Sequence, residues 1–400
     1  MKRVMMKKCV RAGWRGLLLG LLGLATGVGA LAQSVTANWV GGNLYKRWDD
    51  PANWDKGYVP FNGNGTNYTV MVPSGASISY LSDLTGSIEG FSFEDGGVLD
   101  IAEDSKLEVT GEAVIRGTIQ TDGAGSVFRA LGGGLLLEAH PRFLAENGST
   151  IEVGSSIYSW SWSDADAELL RADTDSVVDL RRVSSFGVSY GSGARTYTIR
   201  ATEGGLIDLS GLGTLTGPGE DDWLELNITT GGRILLGSLQ QASGRVRFDI
   251  RVPTFELPKL GQASATEFLL GTNVVATLPQ LLRLESGRVS LDPGAHLEPS
   301  ALLSISDTSI TVSDGASIDA PQLTSMHNVP LTLSGSGAFI ATNLAAYRDS
   351  YIPVHPGRDF RPGMLTDVDA SRIDVYQGER FAVSATSYRT WDDWRWSPTL

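Results

Sequence analysis

Apolar residues recur with a fixed 21-residue period through the second half of this 400-residue chain. One series consists only of leucines: Leu260, Leu281, Leu302, Leu323, Leu344 and Leu365. Four further columns, five residues before these leucines and three, eight and ten residues after them, are almost entirely apolar. Because apolar residues make up about half of an average chain, chance does not produce five such columns. The fixed period indicates stacked units that bury their apolar faces against one another.

Within each unit the apolar residues stand two apart, which is the spacing of a β-strand with one buried face. Three such short runs fit in one unit, separated by Gly, Asp, Ser and Pro. Leucine-rich repeats need an L-x-x-L-x-L-x-x-N frame and a helical side, and the sequence has neither. The pattern therefore predicts an all-β, single-stranded, right-handed parallel β-helix with 21-residue coils. The hand follows from the usual preference of parallel crossovers.

The repeat also sets the expected segment boundaries. Upstream units end at Val183, Leu212 and Leu239, which lie farther apart than the period, so we expect insertions at turns between otherwise similar coils. We assign residues 33–90 to an N-terminal cap with the first irregular strands, and residues 91–400 to the β-helix, most regular from residue 183. The final letters, WRWSPTL, fall in mid-coil, which predicts a fragment or a truncated product.

The segment assigned to the cap is rich in aromatic residues and turn formers. Its aromatic residues include Trp39, Trp48, Trp54, Tyr58 and Tyr68. Such a segment suits the open edge of the first coil, because an uncovered edge strand invites pairing with other chains. A platform on which sugar rings stack is the alternative.

Residues 1–32 have the three parts of a secretory signal peptide. A basic start, MKRVMMKKCVRAGWRG, precedes the apolar run LLLGLLGLATGVGALA, which closes with Ala30, Leu31 and Ala32. A membrane-spanning helix needs about 20 apolar residues, and this run is short and broken by glycine. We therefore expect cleavage between Ala32 and Gln33, and a mature protein that is secreted or held on the outer cell surface.

Removal of the signal peptide would change both the charge and the cysteine content. It takes away six of the 32 basic residues and none of the 45 acidic ones, so the net charge falls from −13 to −19. A surface of this sign repels phosphate backbones and anionic lipids, which argues against nucleic acid and membranes as partners. The single cysteine, Cys9, leaves with the signal, so disulfides and cysteine metal sites are excluded for the mature chain.

The start of the mature chain also carries a family resemblance. Its spacing W-x8-W, followed by DPANW and then by Y-x-V-x-V, resembles the start of large secreted bacterial β-helix proteins. These are the autotransporter-passenger-like and PEP-CTERM-associated proteins of Gram-negative bacteria, and the units EGGLIDLSGL and GGRILLGSL are similar to their internal repeats. The resemblance implies an outer-surface location and an adhesin-like role, and it carries no catalytic signature. The chain departs from the group's usual ending, since no C-terminal sorting helix with a basic tail is visible.

Carboxylates on one outer face are the first candidates for chemistry. Asp179 and Asp208 occupy the same offset in successive units, and Asp319 recurs at that offset farther along. Paired carboxylates cleave glycosidic bonds in many enzymes, and Arg181 and Arg182 lie beside the first acid. Solubility alone would also place acids at outward positions.

Two acidic clusters and one aromatic cluster are the remaining candidates. Asp164 and Asp166, and likewise Glu220, Asp221 and Asp222, could offer oxygen ligands to Ca²⁺, although neither cluster follows a known calcium frame. Solvated loops are the alternative for both. Trp160 and Trp162 alternate along one strand, and they are either an outward stripe for contact with a glycan or members of the interior columns.

The leading interpretation is a secreted or cell-surface structural, adhesin-like β-helix without catalytic activity and without a cofactor, binding extracellular polysaccharide or surface proteins. The alternative is a carbohydrate-active β-helix enzyme, a polysaccharide lyase or a glycoside hydrolase, that uses the outward acids. A passenger piece of a larger export system is a third interpretation.

Overall fold

The computed structural model describes residues 32–42, 46–161, 165–189, 193–219, 221–363, 365–376 and Ser384. Within these residues the chain forms short β-strands and one 3-10 turn at Pro51–Asn53. Each strand of the long sheets pairs in parallel with strands one coil away. The parallel β-helix predicted from the 21-residue period is confirmed. The predicted signal peptide, apart from Ala32, lies outside the described residues.

The described strands, which are those counted below, fall on three faces that the chain visits in turn within each coil. The first face has 14 strands: Gln33–Asn38, Thr66–Val72, Gly90–Phe93, Ala113–Ile115, Leu136–Leu137, Ile157–Trp160, Ser185–Val188, Thr214–Thr216, Gln241–Ser243, Gln262–Ser264, Arg283–Glu285, Ser304–Ser306, Ser325–His327 and Ala346–Arg348. The second face has 13: Lys46–Arg47, Ser77–Tyr80, Val98–Ile101, Thr118–Asp122, Arg142–Glu146, Ala167–Ala172, Thr196–Ala201, Trp223–Ile228, Val246–Ile250, Thr266–Leu270, Arg288–Leu291, Ser309–Val312 and Leu331–Leu333.

The third face is divided into two sheets. Seven strands form the first: Thr85–Ile88, Lys106–Val109, Val127–Ala130, Thr150–Val153, Val177–Asp179, Leu206–Asp208 and Arg233–Leu235. Six form the second: Thr254–Glu256, Val275–Thr277, His296–Glu298, Ser317–Asp319, Ala338–Ala341 and Asp359–Pro362. A separate pair, Tyr351–Val354 with Arg372–Val375, closes the described strands.

Register between the coils follows the predicted apolar columns. On the third face Phe255 pairs with Ala276, which pairs with Leu297, and these side chains point into the solenoid. All six leucines of the 21-residue series are at most 2% exposed. Aromatic residues also stack in register, as in the parallel rings of Phe248 and Phe268, 5.2 Å apart. Each coil therefore lays its apolar residues directly on those of the preceding coil.

One residue departs from these columns. The period places Val375 in the interior, but 47% of this residue is exposed. Val375 lies in the last described strand, whose described partner is on one side only.

Aromatic residues cover the first coil. Trp39, Trp48 and Trp54 are almost completely buried, and their rings meet edge to face at 5.1 and 4.7 Å. The Trp54 indole N–H donates to the Trp48 carbonyl at 2.7 Å, and Trp48 also packs on Tyr80 of the second face. These three rings are therefore core residues and are not available as a surface on which a sugar could stack, whereas Tyr58 is 41% exposed.

Side-chain hydroxyl groups form hydrogen bonds with backbone groups at the corner between the first and second faces. In the regular coils the chain turns there within one to three residues. Thr308 Oγ1 accepts the Gly287 N–H of the preceding coil at 3.2 Å and donates to the Ser306 carbonyl at 2.7 Å. Ser350 Oγ accepts the Val329 N–H in the same way. Because a buried backbone N–H without a partner costs free energy, each hydroxyl stabilises the corner beneath it.

We expect Leu323→Asp to destabilise the solenoid by at least about 3 kcal/mol, because it truncates a buried leucine and places an unpaired charge in the core. Urea unfolding followed by circular dichroism measures the loss. Asp319→Asn, at an exposed position of the preceding strand, is the control and should change stability by less than about 0.5 kcal/mol. Equal stability of Leu323→Asp and the parent protein would contradict the register.

Thr308→Val tests the corner hydroxyls, because valine keeps the shape of threonine but cannot accept the Gly287 N–H. We expect a loss of about 1–3 kcal/mol, the cost of a buried donor left unpaired. Thr332→Val, at an outward and exposed strand position, controls for the chemical change itself. If the two variants unfold at the same urea concentration, the hydroxyl contributes nothing to the corner.

Candidate functional site

Three long loops connect the first and second faces at one corner of the solenoid, in successive coils. They span residues 161–166, 189–195 and 217–222, of which 162–164, 190–192 and 220 lie outside the described residues. This corner has four residues or fewer in every other described coil from residue 66 onward. Their coils are correspondingly longer than the 21-residue period, since Phe186 pairs with Tyr158 in the preceding coil and with Leu215 in the next. We call these three loops the ledge. Pairing of the flanking strands thus brings the described ends of these insertions to one corner, although the insertions are distant in the sequence.

Carboxylates from the outer loops of the ledge hold the middle loop. Asp166 Oδ1 accepts the Thr196 N–H, and Asp222 Oδ1 accepts the Arg195 N–H, both at 2.9 Å. Asp222 is completely buried. The end of the middle loop is therefore fixed from the coil before it and from the coil after it.

Trp223 is the outward aromatic residue next to the ledge. It opens the strand Trp223–Ile228, in which Leu224, Leu226 and Ile228 point inward and the alternate residues point outward. Guanidinium groups of the following coil lie over its ring: Arg247 at 4.4 Å and Arg245 at 5.0 Å from the ring centre. This arrangement is a preformed cation–π contact on the outer surface of the second face.

Ion pairs order the charged residues of this face. Arg247 bridges Glu267 at 2.7 Å and Glu225 at 3.3 Å, in the coils on either side of its own. Burial acts to lower the pKa of Arg247, but the hydrogen bonds and charges of these two glutamates raise it overall. The guanidinium therefore stays charged, and the surface beside Trp223 is held in one arrangement.

A second ion-pair cluster lies one to three coils earlier on the same face. Arg171 contacts Glu146 and Glu168, and Arg200 also reaches Glu168 at 2.8 Å. Burial raises the pKa of Glu168 and lowers that of Arg171. Water is thus partly excluded from this cluster, as expected for side chains packed between stacked coils.

Asp179 and Asp208 are direct neighbours on the third face, as their shared offset predicts. Arg181 contacts both: its Nε lies 2.9 Å from Asp179 Oδ1 and 3.7 Å from Asp208 Oδ2. Asp208 Oδ1 also accepts the Ser210 N–H at 2.9 Å. The hydrogen bond and charge of Asp179 raise the pKa of Arg181. Asp179 therefore pairs with Arg181, and Asp208 lies beside the same guanidinium and accepts a hydrogen bond from the backbone of the following turn.

Trp160 is not on the outer surface. Only 3% of it is exposed, and its ring packs near His140 and Tyr197 inside the solenoid. The expectation of an outward aromatic stripe therefore fails at this residue, because the inward positions of Ile157–Trp160 are Tyr158 and Trp160. Trp162 lies outside the described residues.

The candidate calcium ligands belong to the ledge. Of these, Asp164 and Glu220 lie outside the described residues. Asp166 and Asp222 bind backbone N–H groups as above, and the side chain of Asp221 is 79% exposed, 3.7 Å from Arg245. In the described part of the chain, no three His, Cys, Asp or Glu side chains converge to hold a metal ion.

Sequence analysis did not single out Trp223 or its two arginines. The signal was present in the steps from Val183 to Leu212 and from Leu212 to Leu239, which both exceed the period. The extra length of both steps falls at the same corner, and Trp223 directly follows GPGEDD. Among the described residues, no helix has the length and the apolar character needed to cross a membrane.

No protein-family model matches the chain, and neither a curated protein nor a solved structure shows significant similarity to it.

Asp222→Ala should loosen the middle loop of the ledge, because it leaves the Arg195 N–H without its 2.9 Å acceptor. We expect trypsin to cleave after Arg195 at least about fivefold faster than in the parent protein, since local opening controls cleavage of a folded chain. Mass spectrometry of the fragments gives the rate at this bond. Asp221→Ala, with an exposed side chain, is the matched control, and equal rates in the two variants would contradict the role of Asp222.

Proposed function

We propose that this protein is a secreted or cell-surface β-helix that acts as a structural, adhesin-like binding protein and catalyses no reaction. The ledge is the observation that supports this proposal most directly. The stacked coils carry three long insertions at a single corner, and long loops on a rigid scaffold are where proteins commonly place binding residues.

The surface next to the ledge suits recognition of a partner. Trp223 has a large ring on the outer side of its strand, and the guanidinium groups of Arg245 and Arg247, in the following coil, lie over that ring. Tryptophan and arginine dominate binding energy in many interfaces. Because ion pairs with Glu225 and Glu267 fix Arg247, little side-chain freedom is left to lose on binding.

The arrangement of Asp179 and Asp208 supports binding over catalysis. Glycoside hydrolysis needs two carboxylates on either side of the bond, one of which is protonated. Here the two acids stand side by side in adjacent strands, and Arg181 contacts both. A hydrolase would need them on opposite sides of a glycosidic bond.

Secretion and the resemblance to autotransporter-passenger-like and PEP-CTERM-associated proteins rest on the sequence alone. Together with the acidic net charge, they favour extracellular polysaccharides or surface proteins as partners over nucleic acid. Neutral polysaccharides are the first choice for a Trp223 surface, since an aromatic face packs well against a sugar ring.

The test uses the full mature chain and a panel of immobilised neutral and carboxylated polysaccharides. We expect the protein to bind at least one neutral member without shortening it, and Trp223→Ala to weaken that binding at least about tenfold, as for a hot-spot residue. Tyr351→Ala is the control, because Tyr351 is likewise an outward ring under a guanidinium, that of Arg372 at 5.3 Å.

Retention on the beads measures binding, and size-exclusion chromatography of the polysaccharide measures cleavage. Shortening of a polysaccharide that is lost in Asp179→Asn and Asp208→Asn would replace the proposal with the enzyme. Absence of binding to every member, or equal losses in Trp223→Ala and Tyr351→Ala, would also contradict it.

A further inference from the structure

An open cleft of about 400 Å³ lies at another corner of the solenoid, between the third and first faces. It arises from a mismatch of turn lengths in three successive coils. The turns 131–135 and 180–184 have five residues each, and the turn between them, 154–156, has three. The two longer turns form the walls of the cleft and the short turn forms its floor.

Arg182 spans the cleft. From the wall at 180–184 it crosses Gly154, and its Nη1 donates to the Leu131 carbonyl at 3.3 Å, two coils away. A Cβ at Gly154 would lie 3.1 Å from that Nη1 atom, so the guanidinium rests on the floor. Its neighbour Arg181 is paired with Asp179, but no described carboxylate forms an ion pair with Arg182.

The opposite wall is made of three consecutive glycines. Gly132 approaches the neighbouring turn closely, since an added Cβ would lie 2.2 Å from the Gly111 carbonyl oxygen, and Gly134 has a φ of +75°. Gly133 has neither constraint, and a Cβ there would meet open space. Within the described part of the chain, the N–H groups of these three residues donate no hydrogen bond to another residue.

Aliphatic side chains surround this polar centre. Leu131 is 39% exposed, Leu136 is 53% exposed, and Ile157, which follows Leu136 one coil later on the first face, is 57% exposed. Exposed aliphatic residues grouped in this way mark a binding surface more often than isolated ones do. The cleft therefore combines free N–H donors, one cation without a carboxylate partner and an apolar border.

We propose that this cleft binds the C-terminal carboxylate of a peptide whose last side chain is aliphatic. Arg182 and the glycine N–H groups hold the carboxylate, because free backbone donors and a guanidinium are an anion site, and captured C-termini use such donors. Leu131 and Leu136 contact the last side chain. A carboxylated sugar fits less well, since the border is aliphatic and has no aromatic face.

The proposal is independent of the ledge, which lies at a different corner. The probe is the tetrapeptide acetyl-Gly-Ala-Gly-Leu with a free carboxylate, and its C-terminal amide is the control ligand. We expect the amide to bind at least about tenfold more weakly, which corresponds to the loss of one or two charge-assisted hydrogen bonds. Isothermal titration calorimetry with the full mature chain gives both constants.

Two variants address the two parts of the cleft. Arg182→Gln should reduce the preference for the free carboxylate at least about fivefold, whereas Gly133→Val should prevent binding of both peptides by filling the open space beside Gly133. Arg283→Gln, at an exposed position of a regular coil, is the control and should bind as the parent does. Should Gly133→Val fail to fold, Gly133→Ala and Leu136→Ser, each checked by circular dichroism, provide the same test.

Several outcomes would overturn the proposal. These are equal binding of the acid and the amide, unchanged binding in both Arg182→Gln and the folded cleft-filling variant, or no binding of either peptide. Binding of an oligomer of galacturonic acid that Arg182→Gln weakens, without binding of the peptide, would assign the cleft to a carboxylated glycan instead. Trp223→Ala should bind the peptide normally, so failure here and failure of the ledge proposal are distinguishable.

Discussion

Parallel pairing between successive coils is the interaction on which this structure depends. Each strand donates and accepts backbone hydrogen bonds with the strands one coil before and after it, which holds neighbouring coils about 4.8 Å apart. At that spacing an inward side chain contacts the equivalent side chain of the next coil, as Leu270 does above Leu291. Successive coils must therefore supply apolar residues at the same offsets, and this requirement produces the 21-residue period of the sequence.

The same stacking brings outward charges close together and constrains their signs. On the second face Glu225, Arg247, Glu267 and Arg288 are successive partners, so acids and bases alternate along the column. On the third face Glu152, Asp179 and Asp208 follow one another without a base between them. There Arg181 enters from a turn and balances the neighbouring acids. A column of carboxylates in this fold is thus costly until a cation joins it, whatever the column does.

The sequence could predict whatever repeats, and it could not predict what happens where the repeat is interrupted. Leu323 and its column were assignable because six coils carry the same offset, and the pairing of Asp179 with Asp208 followed from their shared position. Trp160 lies just before an insertion and Trp162 lies within it, and there alternation alone does not say which residue points inward. The fixed direction of Ile157–Trp160 in the structure buries Trp160. The partners of Asp166 and Asp222 are backbone N–H groups 27 to 30 residues away, and no periodicity links them. The role of Thr308 could not be predicted either. Its hydroxyl accepts a hydrogen bond from a backbone N–H, and a pattern of apolar residues contains no information about such a bond.

Most variation in length lies at the corners of this fold. A residue inserted within a strand shifts every following side chain to the opposite side of the sheet unless a β-bulge absorbs it. One such irregularity lies between Glu168 and Leu170, where the pairing with Thr196–Ala201 skips Leu169. A corner absorbs extra residues at a small entropic cost. Both surface features of this chain have that origin: the ledge consists of three long corners in successive coils, and the cleft is a short corner between two longer ones. The aligned faces on either side hold these corners in place. The two residues proposed here to bind a partner, Trp223 and Arg182, accordingly lie beside or within corners of unusual length. In a β-helix the coils that break the period are the first place to look for such residues.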